Sequence, residues 1–177
     1  NPPNTTTYSW RTNIGPTGST GTGPLGDATT GTGTYVYTEA SSGAQGAMTS
    51  LISPLVDISG LTNPEMRFAY HMYGATIDTL HIDVNPGTGW QADVFTLIGQ
   101  QQTSNAAPWR DTLVDLSAFS GVIQVRFRTA KGGGFTGDVS IDDVFFDDPL
   151  SCPSPSNLNA SSITVNSASL SWSKDPT

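Results

Sequence analysis

The chain has 177 residues, enough for one domain and part of a second, and a net charge of −8. Only 12% of residues are charged, and 24 Thr and 20 Ser stand against 2 Glu and 2 Lys, which argues against a helical protein because the residues that solvate helix faces are missing. The acidic balance excludes nucleic acid as a partner, no run of about 20 apolar residues offers a membrane span, and the single Cys152 excludes an internal disulfide framework.

Residues 1 to about 33 read as loop, broken by Gly15-Pro16-Thr17-Gly18 and Gly21-Thr22-Gly23-Pro24. Strand signals then follow in series. Thr34 to Glu39 is rich in β-formers, and Ala47 to Ile52 runs into the stop at Pro54. In residues 65 to 73, Met66, Phe68, Tyr70 and Met72 alternate with Arg67, Ala69, His71 and Tyr73, a period of two with one apolar face. Leu80, Ile82 and Val84 repeat the pattern against Thr79, His81 and Asp83. Asn85-Pro86-Gly87 turns the chain into Trp90 to Ile98. Trp109 to Leu116 is a further candidate, with Leu113 and Leu116 expected to face inward. Ile123, Val125 and Phe127 alternate with Gln124, Arg126 and Arg128, and a last strand runs Val139 to Phe146 after the Gly132-Gly133-Gly134 bend.

Eight or nine short strands at near-regular spacing, with no crossover helix, read as an all-β sandwich or barrel and exclude a parallel α/β architecture. The chain divides into a domain over 1–149 and a tail over 150–177. The tail opens on the Pro/Ser linker Ser151 to Ser156 and carries two short strand signals, around Ile163 and at Leu170-Ser171-Trp172. Two strands bury no core alone, so the tail is expected to dock on the main domain or on a neighbouring chain.

Three segments together resemble the MAM domain, an extracellular module. They are Thr22-Gly23-Pro24 through Gly33 with Tyr35 to Ser42, then Phe68 to Gly74, then Gly137-Asp138-Val139-Ser140-Ile141-Asp142-Asp143-Val144. The variant with Gly99 to Gln102 and Trp109 is similar to MAM-like repeats of secreted bacterial proteins. The tail resembles the start of a fibronectin type III domain. The resemblance implies a jelly-roll antiparallel β-sandwich, secreted or at a cell surface, used for adhesion or substrate recognition and not for catalysis. It also implies structural Ca²⁺. Relatives include homophilic adhesion modules, so self-association stands among the expected interactions. The paired cysteines and the opening Phe-Glu segment of the animal pattern are absent.

Asp142 and Asp143 each have apolar neighbours two residues away along the last strand, where an unpaired charge is costly. A hard cation with oxygen ligands would satisfy several carboxylates together, so Asp27, Glu39, Asp142 and Asp143 form the expected calcium set. The alternative is that they accept hydrogen bonds from backbone N–H groups or Arg. For ligand contact the candidates are Tyr73 and Trp90, whose broad rings could stack on a sugar or anchor a protein, with Arg67, Arg126 and Arg128 on polar strand faces. Trp10 and Trp109 are further aromatics of the same kind, with core packing expected for at least two of the four. An extracellular protein or a polysaccharide is therefore the expected partner, with a carbohydrate-binding module of a secreted hydrolase as the alternative function. No His-Glu-x-x-His, Gly-x-Ser-x-Gly or P-loop occurs, and His71 and His81 read as half-exposed polar-face residues. Gly132 to Gly137 fits G-x-G-x-x-G but opens no helix, so it reads as a hairpin loop.

Overall fold

The computed structural model describes residues 7–149 and 156–173, and among them there are strands and no helix. One sheet takes the order β1-β2-β10-β5-β8, from β1 (Trp10–Asn13), β2 (Tyr35–Thr38), β10 (Ser140–Asp147), β5 (Glu65–His71) and β8 (Arg110–Asp115). The second runs β3-β9-β6-β7, from β3 (Met48–Ile52), β9 (Val122–Ala130), β6 (Thr79–Asn85) and β7 (Gln91–Ile98), with β4 (Val56–Asp57) paired to β9. Every pairing is antiparallel, and the two sheets stack as a sandwich of jelly-roll type.

The two-residue period decides what lies between the sheets. Met66, Phe68 and Tyr70 of β5 meet Leu80, Ile82 and Val84 of β6 and Ile123, Val125 and Phe127 of β9 in one apolar cluster. Phe68 and Phe127 join the layers edge to face, with ring centroids 5.2 Å apart. Each such side chain stabilises the fold by roughly 1.5–3 kcal/mol through burial.

Four local expectations change. β1 lies in the stretch read as loop, because it is short and followed by Gly15 and Pro16, and β4, beyond the stop at Pro54, is a strand of two residues that the pattern did not single out. In β8 the parity is the reverse of that expected at one position: Val114 is buried and Leu113 is 44% exposed, while Leu116 is buried as expected. His71 is not half-exposed but fully buried, since β5 is covered on both faces. Finally, strict alternation fails in β10. The register slips between Asp142 and Phe145, and Asp143 adopts φ 47°. This bulge inserts one residue, so Phe146 joins the core beside Ile141 while Phe145 is 48% exposed.

In the tail, β11 (Ser156–Ser161) pairs with β12 (Ser169–Ser173) as a hairpin, and the described side chains from 157 to 171 are all exposed. The expected docking is therefore not seen at any of them. The linker and the Trp172 side chain lie outside the described residues.

Candidate recognition faces and their buried support

The outward residues of β6 and β9 stand opposite one another, His81 against Arg128 and Asp83 against Arg126. Asp83 is the anchor. Its carboxylate accepts from Arg126 Nε at 2.8 Å, from Arg128 Nε at 2.9 Å and from the Asp93 amide at 2.9 Å, and its side chain is fully buried beneath them. Burial pushes the Asp83 carboxyl up, but the hydrogen bonds from Arg128, the Asp93 amide and Arg126 outweigh it and hold its pKa at about 2. The same contact holds the Arg128 guanidinium above its usual range.

A register shift in the β6–β7 pair, with Asp93 at φ 60°, brings the Asp93 carboxylate over this anchor. It meets His81 Nδ1 at 2.7 Å and Arg128 at 2.8 Å. Trp90 enters from the turn before β7, where Asn85 Oδ1 accepts from the amides of Gly87 and Gly89. The Arg126 guanidinium lies over the Trp90 ring, 4.3 Å from its centroid. The result is a flat, rigid surface on which two arginines face two aspartates.

Of the five expected ligand-contact residues, the structure thus brings together Trp90, Arg126 and Arg128. Arg67 is not part of this patch, because it lies on β5 in the other sheet and pairs with Glu65. Tyr73, expected to point outward, is half-buried just after β5, and its carbonyl accepts from the Gly23 amide. Asp83 and Asp93 were not among the expected residues. Asp83 carried a readable signal, since it shares the outward parity of His81, whereas Asp93 reaches the face only through the bulge.

The outer face of the other sheet is roofed by the loops 14–34 and 99–109. Gln102 ties its loop to β5 by accepting from the Met72 amide and donating to the Tyr70 carbonyl, and the Asp138 amide donates to Thr22 Oγ1. Beneath this roof lie His71, Asp138 and Ser140, all fully buried. Among the described residues, both His71 ring nitrogens, Asp138 Oδ2 and Ser140 Oγ have no hydrogen-bond partner. Burial pushes His71 down to about 4. Burial, with the Glu39 charge adding to it, pushes Asp138 up to about 6 against the opposing Ala40 amide. The three side-chain types of a serine hydrolase therefore share one layer, but Ser140 is fully buried and among the described residues its Oγ makes no hydrogen bond to a base.

Of the expected calcium carboxylates, Asp142 and Asp143 stand in β10 and bond the loop that Asp27 folds, while Glu39 follows β2. Asp27 accepts from the Thr30 and Gly33 amides and so folds its own loop, which lowers its pKa. Glu39 accepts from the Ser41 amide, Asp142 from the Ala28 amide, and Asp143 from the Thr29 hydroxyl. Among the described residues no group of three or more His, Cys, Asp or Glu side chains is placed to hold a metal ion. Each of the four thus accepts from backbone amides or a hydroxyl, the alternative held open for these carboxylates.

Residues 2–153 match the MAM domain, meprin/A5/mu. The chain belongs to the MAM domain family. It is 32% identical to human MAM domain-containing protein 2 over 139 residues, 78% of this chain and 19% of that protein. It is 29% identical to mouse neuropilin-1 over 143 residues, 78% of this chain and 15% of that protein. This MAM chain thus spans about a fifth or less of the curated relatives it matches. Among solved structures, the K1 cleaved adhesin domain of Lys-gingipain from Porphyromonas gingivalis superposes with TM-score 0.53 at 18% identity, over 80% of this chain and 84% of that one. The K2 domain gives TM-score 0.52 at 19% identity, over 78% and 82%. These likenesses establish a shared sandwich fold for the MAM domain. No helix among its described residues is long and apolar enough to cross a membrane.

Proposed function

We propose that this MAM domain is a non-catalytic recognition module of a secreted or cell-surface multidomain protein, adhering to an extracellular protein or polysaccharide through the open face of the β3-β9-β6-β7 sheet. The observation that carries the reading is the Trp90–Arg126 stack fixed from below by buried Asp83. A rigid aromatic beside an oriented guanidinium loses little entropy on binding and suits a partner presenting carboxylates or ring faces. Family membership supports an extracellular setting.

Binding of the purified chain to an array of extracellular-matrix proteins and glycans tests this. Saturable binding lost in Trp90→Ala and Arg126→Ala supports the reading. Retention in both variants, or turnover of a peptide or polysaccharide by the purified chain, refutes it. Protein binding insensitive to free sugar favours adhesion, and saturable sugar binding favours the carbohydrate-module alternative.

The structural calcium of this proposal rests on Asp138, not on the full set of four. Its buried Oδ2 has no hydrogen-bond partner among the described residues, Glu39 lies close enough to raise its pKa, and the Thr17 and Thr22 hydroxyls lie in the same loop layer. Asp138 and Glu39 would hold the ion, which would supply positive charge to a buried carboxylate between the end of β2 and the start of β10. Self-association and the fibronectin-like identity of the tail remain proposals of the same kind.

A further inference from the structure

We propose that the roof of the β1-β2-β10-β5-β8 sheet carries a second binding site, a preformed pocket for one neutral pyranose ring based on Trp109. The pocket, about 230 Å³, lies between Leu25, Gly26 and Asp27 of one loop and Asn105, Ala107 and Trp109 of the other. It is on the opposite sheet from the Trp90 face and does not depend on it.

Its floor is fixed before any ligand arrives. The Trp109 indole N–H donates to the Gly26 carbonyl at 3.0 Å, and the ring packs edge-on against Tyr35 and His71 at centroid distances of 5.6 and 5.7 Å. Leu25 extends the apolar surface and is 55% exposed. Asp27 stiffens the near wall through its bonds to the Thr30 and Gly33 amides.

The rim selects the chemistry. Asn105 Nδ2 donates to the Thr22 and Gly23 carbonyls, so its amide carbonyl is what a ligand meets. The Asp27 carboxylate is already taken by the Thr30 amide and hydroxyl and the Gly33 amide, so Asn105 Oδ1 is the side-chain acceptor the pocket offers. With the Trp109 and Asn105 side-chain donors spent internally, a ligand must bring its own donors together with an apolar face. A pyranose has both: hydroxyls at its edge and a C–H face for the indole. The net charge of −8 disfavours an acidic sugar. The volume lies below the usual range for larger ligands and suits a single ring.

The test follows the Trp109 indole N–H in two-dimensional NMR during titration with methyl β-D-glucopyranoside, methyl β-D-galactopyranoside and methyl α-D-mannopyranoside. Glucuronate and acetyl-proline amide serve as comparison probes. The expected result is a saturable shift with at least one neutral pyranoside, at a Kd on the order of 1 mM. Trp109→Ala also removes packing against Tyr35 and His71, so Ala106→Phe, at an exposed pocket-lining position, is the decisive variant. It should weaken binding by about tenfold or more, while Trp90→Ala binds as wild type. No shift with any pyranoside at several times the expected Kd overturns the inference. So does binding that survives Ala106→Phe or fails in Trp90→Ala, or a response confined to glucuronate or acetyl-proline amide.

Discussion

The Arg126 guanidinium sits 4.3 Å from the centre of the Trp90 ring because Asp83, buried beneath both, fixes its position. Asp83→Ala leaves Arg126 and Arg128 without their common partner, and breaking a buried pair from one side costs about 3 kcal/mol. Urea denaturation should show that loss at neutral pH. The folded Asp83 pKa, about 2, is below its unfolded value, so its stabilisation is complete above about pH 4 and is lost as pH falls toward 2. The variant should lack that part of the acid transition.

His71 and Asp138 act in opposite directions over nearly one pH interval. His71, lowered to about 4, stays neutral in the fold while the unfolded chain takes up a proton below about 6.5, so acidification destabilises through it. Asp138, raised to about 6, is protonated in the fold while the unfolded chain is still ionised, so its stabilisation is present below about pH 4 and lost as pH rises through 6. The two slopes nearly cancel in the wild type between about pH 4 and 6. Asp138→Asn should make stability fall on acidification across that range, and His71→Gln should make it rise. Melting temperatures at half-unit pH steps read both, and parallel profiles for the two variants would contradict the assignment.

Calcium should raise the melting temperature of the wild type by several degrees at about a hundredfold excess over its Kd, a contribution of about 2.7 kcal/mol. Chelator should reverse the effect, and Asp138→Asn should abolish it. A melting temperature indifferent to calcium and chelator removes the ion from the proposal and leaves the Trp90 face untouched.

Gly74 follows β5 with φ 149°, and a side chain there would run into the Thr136 carbonyl. Gly74→Ala should therefore cost about 2 kcal/mol or more, visible as a lower denaturation midpoint with unchanged m-value. Gly87→Ala, also at positive φ but in open space, should cost less.

The layers of this sandwich were legible because alternation is a local signal. Met66-Phe68-Tyr70, Leu80-Ile82-Val84 and Ile123-Val125-Phe127 each reach the core as their spacing predicts. What was not legible depends on partners distant in sequence. His71 looks half-exposed until Gln102 and its loop close over it, and Arg67 looks like a companion of Arg126 until the sheets separate them. Leu113 and Val114 differ by one step of parity that only pairing with Arg67 and Met66 decides. Of the recognition face, Trp90, Arg126 and Arg128 could be found from residue type and Asp83 from its parity with His81, but Asp93 could not, since it acts from a bulge. The acidic residues near β10 accept from nearby amides and a hydroxyl, an arrangement that residue type alone left open beside a cation.

The bulge in β10 decides which phenylalanine the interior receives, since strict alternation over the same residues from Ile141 would turn Phe145 inward in place of Phe146. Removing Val144 alone would restore unbroken alternation with the same partners, Phe145 outward opposite Arg67 and Phe146 inward opposite Met66, without altering any other amino acid. Relatives lacking this insertion should therefore carry their large apolar side chain one position earlier, a shift that structure-based alignment resolves and gap-free alignment conceals.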